Sequence, residues 1–355
     1  MNEYYNDYNR VVFETPAEHE EKRKKQRRLF SRVFIALFLY TLITEVILIA
    51  ADIGASMMLS PEKYAALRLN TVYQLLISCV AQYLIAFPVL WLILKGSAKS
   101  HRSEQTRLSE KGFFLLLLIG ETLMYAGSLI GNLLNQLIGN LTGSVPENGI
   151  ATYVTETPLW LIFILMVVIG PIVEELIFRK LMIDRLSIYG DRVAIFFSAV
   201  AFGLMHRNFY QFFYAALLGL LLGYVYASTR NVKYTVLMHM FFNFMGSVVA
   251  LPAQRIVTEC ADMLQMLSAG IPIDLVKLFG YGTVTLAYTN LQYGMIIGGI
   301  IALVYCVRKK KFSVSSDKEI YIADREIIKN GIVNVGSILF LISCTAAMIL
   351  SLIFV

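Results

Sequence analysis

Long uninterrupted apolar runs dominate the pattern of hydrophobic and polar positions along this chain. Most runs are about 20 residues long, the length that an α-helix needs to cross a bilayer, and they do not alternate as the strands of a membrane barrel do. The pattern therefore predicts an all-α, polytopic transmembrane helical bundle of eight or nine spans. The predicted spans are 30–50, 71–94, 112–138, 158–178 (with an extension to about 187), 193–207, 209–228, 234–251, 287–307 and 331–354.

The composition agrees with a membrane protein. Of the 355 residues, 57% are hydrophobic and only 16% are charged, whereas charged residues make up about 25% of a soluble domain. The four cysteines are scattered and form no CxxC pair, so neither a disulfide framework nor a thiolate metal site is predicted. The net charge of +6 fits basic cytoplasmic loops. We expect the lipid bilayer, and no nucleic acid, as a partner.

Basic residues fall on alternate connections between the predicted spans, which gives the orientation. Such residues collect on the cytoplasmic side of membrane proteins, so we expect the N-terminus in the cytoplasm and, with nine spans, the C-terminus outside. The richer set of connections holds 22–28, 95–111, 179–192, 230–233 and 308–311. The poorer set holds Lys63, Arg68, Arg207, Arg255 and Lys277.

The predicted spans divide the chain into four parts. A polar, basic cytoplasmic arm (1–29) precedes N-terminal transmembrane helices (30–157), and the motifs described next fall in a core of four helices (158–251). The last part (252–355) begins with a connection that reads as an amphipathic helix or a covering loop and ends with C-terminal transmembrane helices.

Two histidines and two adjacent glutamates interrupt the apolar spans of the predicted core. An ionisable side chain in hydrocarbon costs at least a few kcal/mol, so it indicates a functional site by default. These residues are Glu174, Glu175, His206 and His239. A purely structural role for Glu174 would be a buried ion pair with Arg179, but Glu175 is better spaced for that pair.

Three pairs of polar or aromatic residues have helical spacing. Residues four apart share one face of a helix, and three such faces can converge inside a bundle. The pairs are Glu175 with Arg179, Phe202 with His206, and His239 with Asn243. Together they would bring carboxylate, imidazole, carboxamide and guanidinium groups to one place.

These groups suit hydrolysis of a peptide bond by activated water. That reaction needs a base, a group that orients the water, and hydrogen-bond donors for the developing oxyanion. A Zn²⁺ ion bound by one Glu and two His would use the same residues with a metal as activator. The sequence has no HExxH motif, the usual helical zinc-protease pattern, but three ligands can also come from separate helices.

The three pairs lie in segments that resemble a known family. The segments EELIFR (174–179), FGLMH (202–206) and HMFFN (239–243) are similar to the motifs EExxxR, FxxxH and HxxxN of the CAAX-protease and bacteriocin-processing family, the type II CAAX endopeptidase-like intramembrane proteases. The order, the spacing and the placement on successive apolar spans agree. The resemblance covers about 158–250.

The resemblance implies a role for each motif residue. Glu174 would be the base that activates water, and His206 would help to position that water. His239 and Asn243 would bind the oxyanion. Supporting roles fall to Glu175, Arg179 and Phe202.

The resemblance leaves the cofactor and the substrate open. The family is commonly called metalloprotease, so a single Zn²⁺ on Glu174, His206 and His239 and a metal-free glutamate mechanism are equally compatible. We expect a peptide or protein tail as substrate, such as a leader, pheromone or bacteriocin-related peptide, in the plasma membrane of a bacterium. Two alternatives stay open: a non-catalytic bacteriocin immunity or scaffold protein, and a proton-coupled transporter, since intramembrane Glu and His also form proton relays.

Counting residues from the basic connections exposes a difficulty. At 1.5 Å per residue, His206 would lie about 20 Å deep and His239 only about 9 Å. The two can meet if the fifth and sixth spans form a short hairpin around a water-filled cavity, which we expect to open toward the cytoplasm. Gly219 and Gly223 form a GxxxG pattern that predicts close helix packing.

Overall fold

The computed structural model of the protein describes residues 2–5, 11–101, 107–143, 156–314 and 318–353, with side chains from residue 15 to residue 352 within these ranges. These residues form one antiparallel β-hairpin and eleven helices. The strands are β1 (Asn2–Tyr5) and β2 (Val11–Glu14). The helices are α1 (Pro16–Met58), α2 (Pro61–Arg68), α3 (Thr71–Leu94), α4 (Glu110–Thr142), α5 (Leu159–Tyr189), α6 (Asp191–Met205), α7 (Phe209–Thr229), α8 (Val232–Ser268), α9 (Leu275–Arg308), α10 (Asp324–Ile332) and α11 (Val335–Ile353).

The prediction of an all-α bundle with eight or nine spans is confirmed. Eight of the described helices are long and apolar enough to cross a membrane, namely α1, α3, α4, α5, α7, α8, α9 and α11. The predicted fifth span is α6, which has only 15 residues and rises about 22 Å. Helix α6 is the short arm of the predicted helical hairpin of the fifth and sixth spans.

Helices α6 and α7 pack antiparallel because small residues line their contact. An ideal Cβ on Gly219 would lie 2.9 Å from the Cα of Ala199, and one on Gly223 would lie 3.1 Å from a side-chain carbon of Ile195. The residue numbers on the two helices run in opposite directions along this contact. The glycines therefore allow the close packing that the GxxxG pattern predicts.

Two ends of the bundle can be distinguished by their connections. At the first, Arg230 donates to Asp191 over 2.5 Å, and the backbone N–H of Glu319 donates to the carbonyl of Ile188 over 3.0 Å. We call this the basic end; it holds 22–32, 94–101, 184–192, 230–233, 308–314 and 318–327. At the opposite end, Thr157 donates to Thr71 over 3.0 Å. The opposite end holds 58–71, 156–158, 206–208 and 268–275.

Several elements extend beyond the predicted spans. Helix α1 begins at Pro16, inside the predicted polar arm, because Thr15 and Glu18 form a capping box at its N-terminus. Helix α8 continues to Ser268, so the first part of the predicted outer connection is a continuation of a long helix. In both places the apolar run is shorter than the helix, because the helix continues through polar turns outside that run.

Candidate active site

The two adjacent carboxylates of α5 lie in different environments. The side chain of Glu175 is fully buried, whereas that of Glu174 is 29% exposed. Successive helical residues point about 100° apart, so one carboxylate faces the packed core and the other faces open space. Two π-helical segments, Phe163–Ile169 and Leu176–Ile183, flank this stretch of α5, and such segments occur often at functional sites.

Glu175 belongs to a fully buried network. The Nε of Arg179 donates to one carboxylate oxygen of Glu175 over 3.0 Å, and Nη1 of the same guanidinium donates to the hydroxyl of Ser198 over 3.0 Å. Both charged side chains have zero exposure. A buried ion pair of this kind fixes a geometry, and loss of one partner leaves an uncompensated charge.

His239 connects the buried network to Glu174. Its Nδ1 lies 3.0 Å from the second carboxylate oxygen of Glu175, to which it donates, and its Nε2 lies 3.7 Å from a carboxylate oxygen of Glu174. The first distance is a hydrogen bond, while the second is too long for one. The network therefore fixes the imidazole ring so that Nε2 faces Glu174.

His206 and Phe202 complete the same wall. The Nδ1–H of His206 donates to the carbonyl of Phe202 over 2.9 Å, which leaves Nε2 as an acceptor. The Phe202 ring lies edge-on to both imidazoles, with centroids 5.1 Å from His206 and 5.5 Å from His239, and 5.1 Å from the guanidinium of Arg179. Phe202 therefore contacts both imidazoles, which lie on the same wall of the site.

Asn243 faces the site from α8. Its Nδ2 donates to the carbonyl of Met166 over 2.8 Å, and Met166 lies in the first π-helical segment of α5. An amide nitrogen carries two N–H donors, so one can hold the backbone while the second serves a ligand. The structure thus brings all seven predicted residues together: Glu174, Glu175, Arg179, Phe202, His206, His239 and Asn243.

A cavity of about 730 Å³ contains the open part of this cluster. Glu174, Phe202, His206, His239 and Asn243 line it. Its lining residues on each helix run from the middle of the bundle toward the opposite end; on α5 they lie in 166–178 and on α8 in 239–254. The lining residues therefore do not continue to the basic end, where the cavity was expected to open. Counting residues along each helix gives the depth of the site residues from the basic end, but it does not show toward which end the cavity extends.

Sequence reasoning missed the contribution of α1 and α3 to the cavity. Tyr40 and Glu45 line it from α1, and Gln82 and Tyr83 line it from α3. Glu45 forms an ion pair with Arg207, the residue after His206. An acidic residue within an apolar span was the available signal for Glu45.

The α6–α7 turn holds His206 in place. Arg207 has a left-handed backbone (φ 57°), and Asn208 caps α7 by accepting from the N–H of Gln211 over 2.9 Å. The Nδ2 of Asn208 also donates to the carbonyl of His206 over 2.8 Å. These bonds connect the end of α6 to the start of α7.

The predicted zinc ligands do not assemble as a set. Among the described residues, no group of three His, Cys, Asp or Glu side chains is placed to hold a metal ion. Glu174 and His239 approach each other, but His206 does not join them at ligand distance.

Comparison with known protein families finds a match for this core. Residues 156–245 match the model of the Rce1-like family, described as type II CAAX prenyl endopeptidase Rce1-like. The match covers the three motifs and all seven residues of the cluster. It confirms the resemblance that the motifs indicate.

Individual relatives agree with the family match. Over 204 residues, 55% of this chain and 79% of the relative, the chain is 22% identical to the Bacillus subtilis protein "Putative membrane peptidase YdiL". It is 28% identical over 167 residues to "UPF0177 protein YbdI" of Lactococcus lactis, 45% of this chain and 88% of the relative. It is 30% identical over 162 residues to "CAAX prenyl protease 2" of Arabidopsis thaliana, 35% of this chain and 50% of the relative.

No solved structure matches this chain significantly. The eight apolar helices and the membrane-peptidase relatives make this an integral, multi-pass membrane protein. The family match supports a protease.

Proposed function

We propose, from the match of residues 156–245 to the Rce1-like family, that this chain is an intramembrane endopeptidase in which Glu174 activates a water molecule. One observation carries the proposal. The partly exposed carboxylate of Glu174 faces Nε2 of His239 across 3.7 Å inside the cavity, while its neighbour Glu175 is fully buried in an ion pair. A polar separation just beyond hydrogen-bond length is one that a bridging water can fill.

The proposed reaction begins with proton transfer from water to Glu174. The water oxygen forms a bond to the carbonyl carbon of the peptide, and the electron pair of the C=O bond moves to the oxygen. Nε2 of His206, which is free to accept, helps to orient the water. Positioned bases of this kind contribute about 10²–10⁴-fold to the rate.

The oxyanion would accept hydrogen bonds from His239 and from the second N–H of Asn243. Because His239 already donates through Nδ1 to Glu175, donation from Nε2 as well requires a proton on both ring nitrogens. The proton on Glu174 then passes to the amide nitrogen as the C–N bond breaks. Glu175 and Arg179 are positioning residues in this scheme.

The proposed substrate is a peptide or protein tail that enters the cavity in an extended form. Both polar groups (Gln82, Gln211) and apolar groups (Leu48, Leu75) line the cavity, so an extended segment can satisfy its backbone and bury apolar side chains. We propose leader, pheromone or bacteriocin-related peptides as candidates.

Purified protein in detergent, incubated with a fluorogenic peptide library, tests the proposal. Wild type should cleave at least one peptide, and Glu174→Gln and His206→Ala should each lose the activity. Glu121→Gln is the matched control, because Glu121 is a carboxylate within α4 that does not line the cavity. Activity that survives Glu174→Gln, or no cleavage of any peptide by wild type, would overturn the proposal.

A chelator arm in the same assay addresses the metal. Activity that survives exhaustive chelation, with no metal found in the sample, is the result expected for a reaction that uses side chains alone. Activity lost on chelation and restored by Zn²⁺ would show that the cluster closes around an ion.

A further inference from the structure

The lining residues show toward which end of the bundle the cavity extends. On α3 the lining residues lie in 75–83 and on α4 in 124–132, from about the middle of each helix toward the opposite end. The terminal turns of these helices at the basic end contribute none of the described lining residues. The cavity therefore extends from the catalytic cluster toward the opposite end.

The basic-end side of the cavity is closed by packing. Phe178, Phe202 and Phe242 form its floor and are at most 1% exposed. Below them lie Arg179 and Ile183, both with zero exposure. A peptide cannot reach Glu174 from the basic end without opening this core.

Polar residues mark the other side. The cavity wall there includes the ion pair of Glu45 with Arg207, together with Asn132 and Gln254. These side chains lie on α1, α4, α8 and the α6–α7 turn, so four separate elements bring polar groups to the same region. Such a wall suits a water-filled entrance rather than a lipid contact.

Charge sets the orientation of the two ends. Among the described Lys and Arg residues, only Lys63, Arg68, Arg207 and Lys277 lie on connections at the opposite end or on the adjoining helix turns, and Arg255 lies in the half of α8 nearer that end. Basic residues within short loops collect on the cytoplasmic side, and the bundle brings the basic connections to one end. The opposite end, and with it the cavity, then faces away from the cytoplasm.

We propose that the site takes its substrate from the non-cytoplasmic side of the membrane: an exported peptide, or the extracytoplasmic tail of a membrane protein. This inference rests on the proposed peptidase function and specifies the substrate class. It excludes peptides that are present only in the cytoplasm.

Two positions on α8 test the direction directly. Lys233 is exposed at the basic end, and Gln254 lines the cavity; they are 21 positions apart, or about 31 Å along one helix. Lys233→Cys, Gln254→Cys and Lys63→Cys (α2, exposed at the opposite end) are made singly in a chain whose four cysteines are replaced. Intact bacterial cells are then treated with a membrane-impermeant maleimide.

We expect Lys63→Cys and Gln254→Cys to label on intact cells, and Lys233→Cys to label only after permeabilisation. Labelling of Lys233→Cys on intact cells would overturn the orientation. If Lys63→Cys labels from outside but Gln254→Cys stays unlabelled until the protein is denatured, the proposed entrance is overturned.

A second arm separates this inference from the proposed function. An impermeant fluorogenic peptide that wild type cleaves in detergent is added to intact cells that express either wild type or Glu174→Gln. Cleavage by wild-type cells alone is expected. Cleavage in detergent but not by intact cells would overturn the sidedness while leaving the peptidase function, whereas no cleavage in either setting would overturn the function itself.

Discussion

The half of the bundle nearer the basic end and the half nearer the opposite end use charged residues in different ways. In the first, Arg179 and Glu175 form an ion pair with zero exposure. In the second, Glu174 is 29% exposed and borders a cavity of about 730 Å³. The boundary runs between two neighbouring residues of α5. Residue type alone therefore does not decide which glutamate stabilises the fold and which is available for chemistry; the direction of its side chain does.

This comparison separates two kinds of damage. A substitution in the packed half should lower stability, because it leaves a buried charge unpaired or fills a close contact. A substitution in the open half should lower activity and leave the fold in place. His239 belongs to both halves, since it bonds Glu175 through Nδ1 and faces Glu174 through Nε2.

The largest effect on stability is expected for Arg179→Ala. It leaves the buried carboxylate of Glu175 without its cation, which should cost about 3–5 kcal/mol, measured as a loss of thermal stability in detergent. Lys180→Ala is the control, because Lys180 is 51% exposed and pairs with Asp184 at the surface; it should cost about 0–1 kcal/mol. Equal effects of the two substitutions would contradict a special role for the packed network.

Asn243→Ala should affect the open half. Loss of one oxyanion donor typically lowers the rate by about 10²–10³-fold, with a smaller cost in stability from the lost bond to Met166. The measurement is the rate of peptide cleavage at saturating substrate. Asn290→Ala is the matched control. The Nδ2 of Asn290 also donates to a backbone carbonyl over 2.8 Å, but at an exposed position on α9. An unchanged rate in Asn243→Ala would remove it from the proposed oxyanion site.

Gly219→Ala tests the packing that brings α6 to α7. The added Cβ would lie 2.9 Å from the backbone of Ala199, so the helices must separate, and overpacking of this kind costs about 1–3 kcal/mol. Gly294→Ala in α9 meets nothing within 4 Å and serves as the control. Thermal unfolding should show a loss only for the first; no loss would mean that the α6–α7 contact relaxes freely.

The smallest effect is expected for Asn208→Ala. It removes the cap of α7 and the bond to the carbonyl of His206, and loss of such a cap costs about 1 kcal/mol. Asn140→Ala, on an exposed face of α4, controls for loss of an asparagine. A thermal midpoint identical to wild type would argue against a structural role for this turn.

The sequence predicted the cluster well because its three motifs are local. Each pair has a helical spacing that any apolar helix preserves, so Glu175 with Arg179 and Phe202 with His206 could be assigned to faces before their helices were placed. Apolar runs likewise located the long helices. The short α6 was recognisable from its length between Asp191 and Arg207.

Long-range features could not be predicted in this way. The roles of Glu45 and Tyr83 in the cavity wall depend on how α1 and α3 pack against the core, which no motif in those helices records. The direction of the cavity depends on which side chains close it, and three phenylalanines do so from α5, α6 and α8. Helix ends were missed where polar turns continue an apolar helix, as at Pro16 and Ser268.

The most direct test of the central claim compares Glu174→Gln with Glu175→Gln. For each variant, kcat/KM on one peptide and the thermal midpoint are measured on the same preparation. We expect Glu174→Gln to lose about 10²–10⁴-fold in kcat/KM with a wild-type thermal midpoint, while Glu175→Gln lowers the midpoint. Wild-type activity in Glu174→Gln, or an equal loss of stability in both variants, would contradict the division of roles between these two neighbours.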